Sequence, residues 1–164
     1  TLRLFAGNHS QKPGVLEPVL DPNCRFQHCL EELRLPFFDT PPTEALLRHV
    51  RLLHNVRRLR LANVGEALSR RAVLSIVRGC KRLTELDLSW SALDDPGLEI
   101  IARHANDLRF LNAEFCRAIT GTGLEIFLRI FPTDRPLTII LGGTGVREED
   151  FRDRSQRQDL VLKF

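Results

Sequence analysis

Cysteine and histidine side chains near the start of the chain are the first candidates for chemistry. Cys24, His28 and Cys29 are all residue types that ligate zinc. A structural zinc site takes four protein ligands, and no further Cys or His pair with matching spacing follows these three. We therefore expect no metal ion at this segment and no other cofactor in the chain.

Cysteine catalysis is the second possibility. A nucleophilic cysteine needs a histidine held within hydrogen-bond reach to take its proton. The remaining histidines fall in separate segments of the chain, at His9, His49, His54 and His104. The sequence offers no pair of nucleophile and base, and we expect that the protein is not an enzyme.

A glycine-rich segment, 142–145, follows a predicted strand and has backbone N–H groups of the kind that bind phosphate at helix starts. The segment lacks the glycine spacing of nucleotide-binding loops. Glu148 and Glu149 follow closely, and their charges would repel a phosphate group. A turn between a strand and the next element explains these glycines better than a nucleotide site.

The composition is that of an ordinary folded protein. The chain has 164 residues, of which 43% are hydrophobic and 27% are charged, and this predicts one domain that needs no disulfide or metal for stability. No apolar run approaches the roughly 18 residues of a membrane-spanning helix. The net charge of +3 is too small to predict nucleic-acid binding. The 4 cysteines lack a disulfide-framework pattern, so we expect a reducing, intracellular compartment.

Two further features concern the start of the chain and its basic residues. The chain begins at Thr1, inside the predicted strand Leu2–Leu4, so we expect that it was cut from a longer protein or lost a leader. Of the 24 basic residues, 21 are arginines. Guanidinium groups suit protein interfaces because they stack and form forked hydrogen bonds. Codon bias explains the same excess without any function.

Leucine-rich segments recur along the chain at a nearly constant spacing. The four clear copies share leucine or valine at the first position and leucine at the fourth. They are Leu30–Leu35, Val56–Leu61, Leu83–Leu88 and Leu108–Ala113. The steps between them are 26, 27 and 25 residues. Two partial copies lie at Leu137–Leu141 and Leu2–Leu4.

Each repeat predicts a strand, a turn and a helix. Alternating leucines place one face of a short strand against the core, and the segments that follow have the apolar spacing of a helix, as in Ala72–Val77. Thr43, Asp94 and either Thr120 or Thr122 are suitable helix N-caps. Neither half buries its apolar side alone, so neighbouring units must stack into a parallel sheet with helices on one face.

The repeat that starts at Leu108 resembles a leucine-rich repeat of the cysteine-containing subtype common in F-box proteins. The match runs nearly position by position over Leu108–Leu124, with Ala113 in place of one leucine. Cys80 and Cys116 fall at the two cysteine positions of that repeat, where the resemblance implies a small buried side chain. The preceding repeat departs from the pattern, because Ser91 stands where the cysteine would fall.

The resemblance covers roughly residues 30–151 and implies an α/β leucine-rich repeat solenoid of about five repeats, with a curved parallel sheet on the concave face and helices on the convex face. We expect a single domain over residues 1–164. Residues 1–29 form an irregular first repeat or a cap, and residues 30–146 form the repeats. Residues 147–164 add a helix and a strand that cover the last repeat, as solenoid ends require.

Side chains between the leucines point to the open face of the predicted sheet, where stacked repeats align them in columns. The first column contains Glu32, Arg58, Glu85, Phe110 and Thr138, and the second contains Arg34, Arg60, Asp87 and Asn112. Ion pairs of Arg58 with Glu85 and of Arg60 with Asp87 would need no partner protein. Arg34 beside Arg60 is a pair of like charges, which an acidic partner would explain.

Three large aromatic side chains, Phe37, Trp90 and Phe115, share one repeat position at the rim of the sheet, and Asn63 interrupts them. The resembling family usually has a small residue there, so these rings exceed what folding requires. Aromatic and arginine side chains are typical anchors of binding interfaces, although rings that cap the core edge would give the same pattern. The predicted partner-binding residues are Arg34, Arg58, Arg60, Glu85, Asp87, Trp90, Phe110, Asn112 and Phe115.

The resemblance implies a protein-binding module, namely the substrate-recognition region of an F-box-type ubiquitin-ligase subunit. Its F-box would lie upstream of this chain and would bind a Skp-type adaptor and a cullin. The alternative is a leucine-rich repeat scaffold or assembly subunit of a larger complex, including a mitochondrial one. The expected partner is another protein and not nucleic acid, in the cytoplasm or nucleus, with the mitochondrion left open.

Overall fold

The computed structural model describes residues 2–5, 28–35, 43–132, 134–151 and 159–164. The strands are β1 (Leu2–Phe5), β2 (Leu30–Leu35), β3 (Arg58–Leu61), β4 (Glu85–Asp87), β5 (Phe110–Asn112), β6 (Leu137–Ile140) and β7 (Leu160–Lys163). The helices are α1 (Glu44–His49), α2 (Arg70–Gly79), α3 (Asp95–His104) and α4 (Gly121–Ile130). Short 3-10 turns cover Val50–Leu52 and Glu148–Asp150.

The seven strands of the described ranges form one parallel sheet in chain order, from β1 at one edge to β7 at the other. Parallel neighbours need a crossover between them, and α1 to α4 lie in the four crossovers from β2 to β6. Successive helices contact one another in the same order as the strands. The predicted α/β class with a parallel sheet is therefore confirmed.

The core lies between one face of the sheet and the apolar stripes of the helices. At its centre is a row of fully buried register partners from five adjacent strands: Leu33, Leu59, Leu86, Leu111 and Ile139. Ile76, Ile101 and Phe127 from α2, α3 and α4 belong to the same cluster. Burial of each side chain of this size stabilises the fold by about 2 kcal/mol relative to its exposure. The spacing of the leucines therefore determines which face of each strand points into the core.

Polar side chains cap three of the helices at their N-termini. Asp94 accepts a hydrogen bond from the N–H of Gly97 at 2.8 Å, and Thr120 accepts one from the N–H of Gly123 at 3.3 Å. The predicted caps Asp94 and Thr120 are confirmed, and the alternative Thr122 lies inside α4. Helix α2 is capped in the same way by Ser69. The third predicted cap, Thr43, directly precedes α1, and its carbonyl accepts from the N–H of Leu47 at 3.1 Å.

The repeat cysteines are buried, as the resemblance implied. Cys80 donates a hydrogen bond to the carbonyl of Val50 at 3.4 Å, and Cys116 donates one to the carbonyl of Leu88 at 3.2 Å. Each acceptor lies about one repeat earlier in the chain, so each thiol links two units. Burial raises the pKa of Cys80 to about 12 and that of Cys116 in the same direction, which keeps both thiols neutral and unreactive.

Both ends of the predicted solenoid are described only in part. At the start, Leu2–Phe5 forms β1 and pairs with β2, whereas most of the predicted cap over 1–29 lies outside the described residues. At the end, the predicted strand is present as β7 beside β6. The helix expected in 147–157 is represented by the 3-10 turn Glu148–Asp150, and residues 152–158 lie outside the described ranges.

Candidate functional site

Both predicted columns form on the sheet face opposite the buried leucines. The strand register aligns the first column through Glu32, Arg58, Glu85, Phe110 and Thr138, and the second through Arg34, Arg60, Asp87 and Asn112. All of these side chains except Glu32 are half-buried. They line the open surface because they alternate with leucines that point into the core.

Glu32 departs from the expected open column, because it is only 1% exposed. Three guanidinium groups surround its carboxylate. Nε of Arg3 and Nε of Arg58 lie 3.4 Å and 3.5 Å from Oε2, and Nε of Arg34 donates a hydrogen bond to Oε1. Burying a carboxylate is costly unless it is paired; these arginines pair its charge, while Oε2 accepts no hydrogen bond from the described residues.

Of the two predicted cross-strand ion pairs, one is present. Nη1 of Arg58 lies 4.0 Å from Oε1 of Glu85. The predicted pair of Arg60 with Asp87 is wrong, because Oδ1 of Asp87 accepts hydrogen bonds from the backbone N–H and the hydroxyl of Ser89, at 3.1 Å and 2.8 Å. The carboxylate of Asp87 stabilises the turn that follows its own strand. Arg60 in the second column therefore lacks the predicted partner.

The like-charged neighbours Arg34 and Arg60 are register partners, as the sequence predicted. Arg34 shares the carboxylate of Glu32, whereas no described carboxylate lies within ion-pair distance of Arg60. Like charges directly opposite each other cost stability. We call the set Arg3, Arg34, Arg58 and Arg60 the arginine cluster; it lies on β1 to β3 of the open face.

Trp90 and Phe115 stack on each other at the rim of the sheet, where β4 and β5 end. Their ring centroids are 3.9 Å apart with an interplanar angle of 23°. The pair is open to solvent, since Trp90 is 45% exposed and Phe115 is 38% exposed. Phe37, which was predicted to extend this row, lies outside the described residues.

The aromatic pair stands on left-handed backbone. Trp90 and Phe115 both have φ of 57°, and Asn63 and Gly143 share their repeat position with φ of 59° and 71°. The N–H of each non-glycine residue donates to a carbonyl of the next repeat, such as Trp90 to Glu114 at 2.8 Å. Sequence reasoning missed this conformation, although Asn and Gly at the aligned position were the available signal.

Phe115 also packs over Gly143 of the following repeat. A Cβ built on Gly143 would lie 2.5 Å from Cδ1 of the Phe115 ring. Trp90, Phe115 and Gly143 therefore form a continuous row across three repeats, in which the glycine provides the space for the second ring. The row is held by stacking and by close contact with backbone.

The glycine-rich segment 142–145 is a turn, as preferred from the sequence. The N–H groups of Thr144 and Gly145 donate to the carbonyls of Leu141 and Ile119, at 3.1 Å and 2.8 Å. These donors are consequently engaged within the protein. A 3-10 turn follows at Glu148–Asp150 instead of a long helix, so this segment lacks the helix start of a phosphate-binding loop.

Two of the three candidate metal ligands lie in the described part of the chain. His28 and Cys29 are exposed, and Cys24 lies outside the described residues. Within the described ranges, no group of three or more His, Cys, Asp or Glu side chains is placed to hold a metal ion.

The site therefore consists of two features, namely the arginine cluster on the open sheet face and the aromatic pair at the rim, where β4 and β5 end. No helix in the described part of the chain is long and apolar enough to cross a membrane. Comparison with models of known protein families and with curated protein sequences gives no match.

Proposed function

We propose that the chain is a leucine-rich repeat solenoid of about five repeats that binds another protein through the open face of its sheet. The repeating strand, turn and helix support the solenoid, as do the cysteine thiols that link neighbouring units. The observation that carries the binding function is the stacked pair of Trp90 and Phe115.

The position of the aromatic pair favours recognition over a structural role. A left-handed conformation costs a residue with a Cβ about 1–2 kcal/mol, and the two rings that occupy it remain 45% and 38% exposed. Asn63 and Gly143 satisfy the same backbone without a large ring. Tryptophan and arginine are among the residue types enriched at the positions that dominate binding energy.

The leading biological role is substrate recognition in an F-box-type ubiquitin-ligase subunit, in the cytoplasm or nucleus and without catalysis by this chain. The likeness of Leu108–Leu124 to the F-box-associated repeat supports this role. A scaffold or assembly subunit of a larger complex, including a mitochondrial one, is the second candidate, since the same sheet face would serve it equally well.

Replacing Trp90 by asparagine tests the binding function. Asparagine occupies the equivalent position at Asn63 with nearly the same φ, so the backbone is preserved while the ring is removed. We expect Trp90→Asn to reduce retention of partner proteins by about tenfold in quantitative affinity purification from cells, with a melting temperature within a few degrees of wild type.

The matched control is Arg78→Gln, an exposed position on the helix side of the molecule. It should retain partners as the wild type does. Unchanged retention by Trp90→Asn would contradict the proposed binding face. A large fall in melting temperature would show that Trp90 belongs to the core.

The ubiquitin-ligase role has a separate test. The full-length protein should contain a short helical F-box upstream of Thr1 and should copurify with a Skp-type adaptor and a cullin. If the full-length protein contains no F-box and retains neither protein, the ligase role is excluded and the scaffold role takes its place.

A further inference from the structure

The arginine cluster presents more positive charge than the described carboxylates around it balance. On the open face, the described side chains of β1, β2 and β3 present four guanidinium groups but one carboxylate, that of Glu32. Glu85 of β4 approaches Arg58 only to 4.0 Å. Arg60 lies beside Arg34 with no described carboxylate within ion-pair distance.

The buried carboxylate of Glu32 contacts three of the four guanidinium groups. Arg3, Arg34 and Arg58 each contact it through Nε. The terminal Nη groups of a guanidinium form the two-pronged hydrogen bond that matches a carboxylate. The side chains of Arg3 and Arg58 are 52% and 34% exposed, so their guanidinium groups remain accessible to a second anion.

We propose that the arginine cluster binds the carboxylate groups of an acidic segment in a partner protein. This inference rests on the proposed function, because it specifies the chemistry of the partner that the sheet face binds. Charge complementarity carries it: a carboxylate bound at Arg60 would offset the repulsion between its guanidinium group and that of its neighbour Arg34.

The neighbouring charges favour a protein segment over a nucleic acid. Glu85 and Asp87 follow on β4, and Glu114 lies just beyond β5, so the face changes from positive to negative within roughly 10 Å, two strand spacings. A nucleic-acid strand crossing the sheet would bring regularly spaced phosphates against these carboxylates. A protein segment is able to place its acids over the arginines alone.

Fluorescence anisotropy with fluorescein-labelled hexaglutamate tests the site, with labelled hexaglutamine as the uncharged control peptide. We expect the wild type to bind hexaglutamate at least about tenfold more tightly than hexaglutamine, and added salt to weaken this binding. Arg60→Gln should weaken it about fivefold or more. Arg78→Gln makes the same change of charge on the helix side and should stay within about twofold of wild type.

Thermal melting by circular dichroism establishes that each variant is folded, and Arg34→Gln serves as a second site variant. Equal binding of the two peptides, or equal weakening by Arg60→Gln and Arg78→Gln, would overturn the proposal. So would displacement of hexaglutamate by oligothymidylate at lower concentration than by unlabelled hexaglutamate, which would assign the cluster to nucleic acid.

The two proposals fail separately. If Trp90→Asn loses its partners while Arg60→Gln binds hexaglutamate like the wild type, the acidic-segment inference is overturned and the proposed binding face stands. If Arg60→Gln loses hexaglutamate while Trp90→Asn retains all partners, the acidic site is supported and docking on the aromatic pair is excluded.

Discussion

Four residues share one turn position of the repeat, and they differ in how well their side chains suit its backbone conformation. Asn63, Trp90, Phe115 and Gly143 share a left-handed conformation, which glycine adopts without steric cost and asparagine tolerates. The first and last of these residues suit the backbone, whereas the two aromatic residues do not. The strained backbone at Trp90 and Phe115 is therefore an observation on which their proposed role in binding rests.

Substitution of Asn63 measures this backbone strain without disturbing the rings. Asn63→Ala should lower the free energy of unfolding by about 1 kcal/mol, because alanine pays the cost of the left-handed region and asparagine less of it. Asn63→Gly should stay within about 0.5 kcal/mol of wild type. Urea unfolding gives both values, and equal effects of the two variants would exclude backbone strain as the cause.

Residue types alone predicted the columns but not the burial of Glu32. A bulge between Leu2 and Arg3 shifts the register so that Arg3 pairs with Glu32 instead of Glu31. The position of such a bulge depends on how two strands fit together, which the spacing of leucines within one strand does not encode. The ion pair of Asp87 with Arg60 was mispredicted for another reason. The Asp87 carboxylate accepts hydrogen bonds from Ser89 in its own turn instead of pairing with the arginine on the next strand.

At the scale of helices and strands, the leucine period predicted most of the architecture. The strand registers from β2 to β6 follow directly from aligning the repeats, since a slip by one residue would turn every leucine toward solvent. The caps at Asp94 and Thr120 were readable because capping uses a small set of residue types at a fixed place.

The cap of α3 makes stability depend on pH. Partial burial by itself would raise the pKa of Asp94, but hydrogen bonds from Arg70 and from the N–H of Gly97 outweigh it and hold the pKa below its usual value. A carboxyl with a lowered folded-state pKa contributes stability that is present above its unfolded pKa and is lost as the pH falls through the folded value.

Asp94→Ala should therefore lower the free energy of unfolding by about 1 kcal/mol at neutral pH, and the difference from wild type should shrink as the pH falls below roughly 4. Asp94→Asn keeps the hydrogen bond to Gly97 and should lose less at neutral pH. Urea unfolding across this pH range provides the measurement. A difference between Asp94→Ala and wild type that is independent of pH would contradict the assignment.

At the scale of the whole molecule, each strand contacts only its neighbours in sequence order. Stability in such a stack is close to a sum of units and interfaces between them. In the described ranges, β1 and β7 each have one neighbour in the sheet, whereas β3, β4 and β5 have two. The small net charge of +3 also hides a polarised face, with arginines on β2 and β3 and acids on β4.

The rate of backbone hydrogen exchange should depend on how many neighbours each strand has in the sheet. We expect backbone amides of β3, β4 and β5 to exchange most slowly and those of β1 and β7 most quickly, because edge strands open without disturbing the rest of the stack. Mass spectrometry of exchanged peptides resolves these segments. Uniform protection across the sheet would mean that the stack opens only as one cooperative unit.

Main-chain hydrogen bonds at the shared turn position allow the side chain there to vary between repeats. The N–H groups of Asn63, Trp90 and Phe115 donate to the carbonyls of Ser89, Glu114 and Gly142, so the same main-chain hydrogen bond forms with three different side chains at this position. The residue at this position is therefore able to differ from one repeat to the next, on a fixed pitch of about 4.8 Å, at a cost in backbone strain that depends on the residue type. Relatives with the same fold and different residues at these positions would bind different partners.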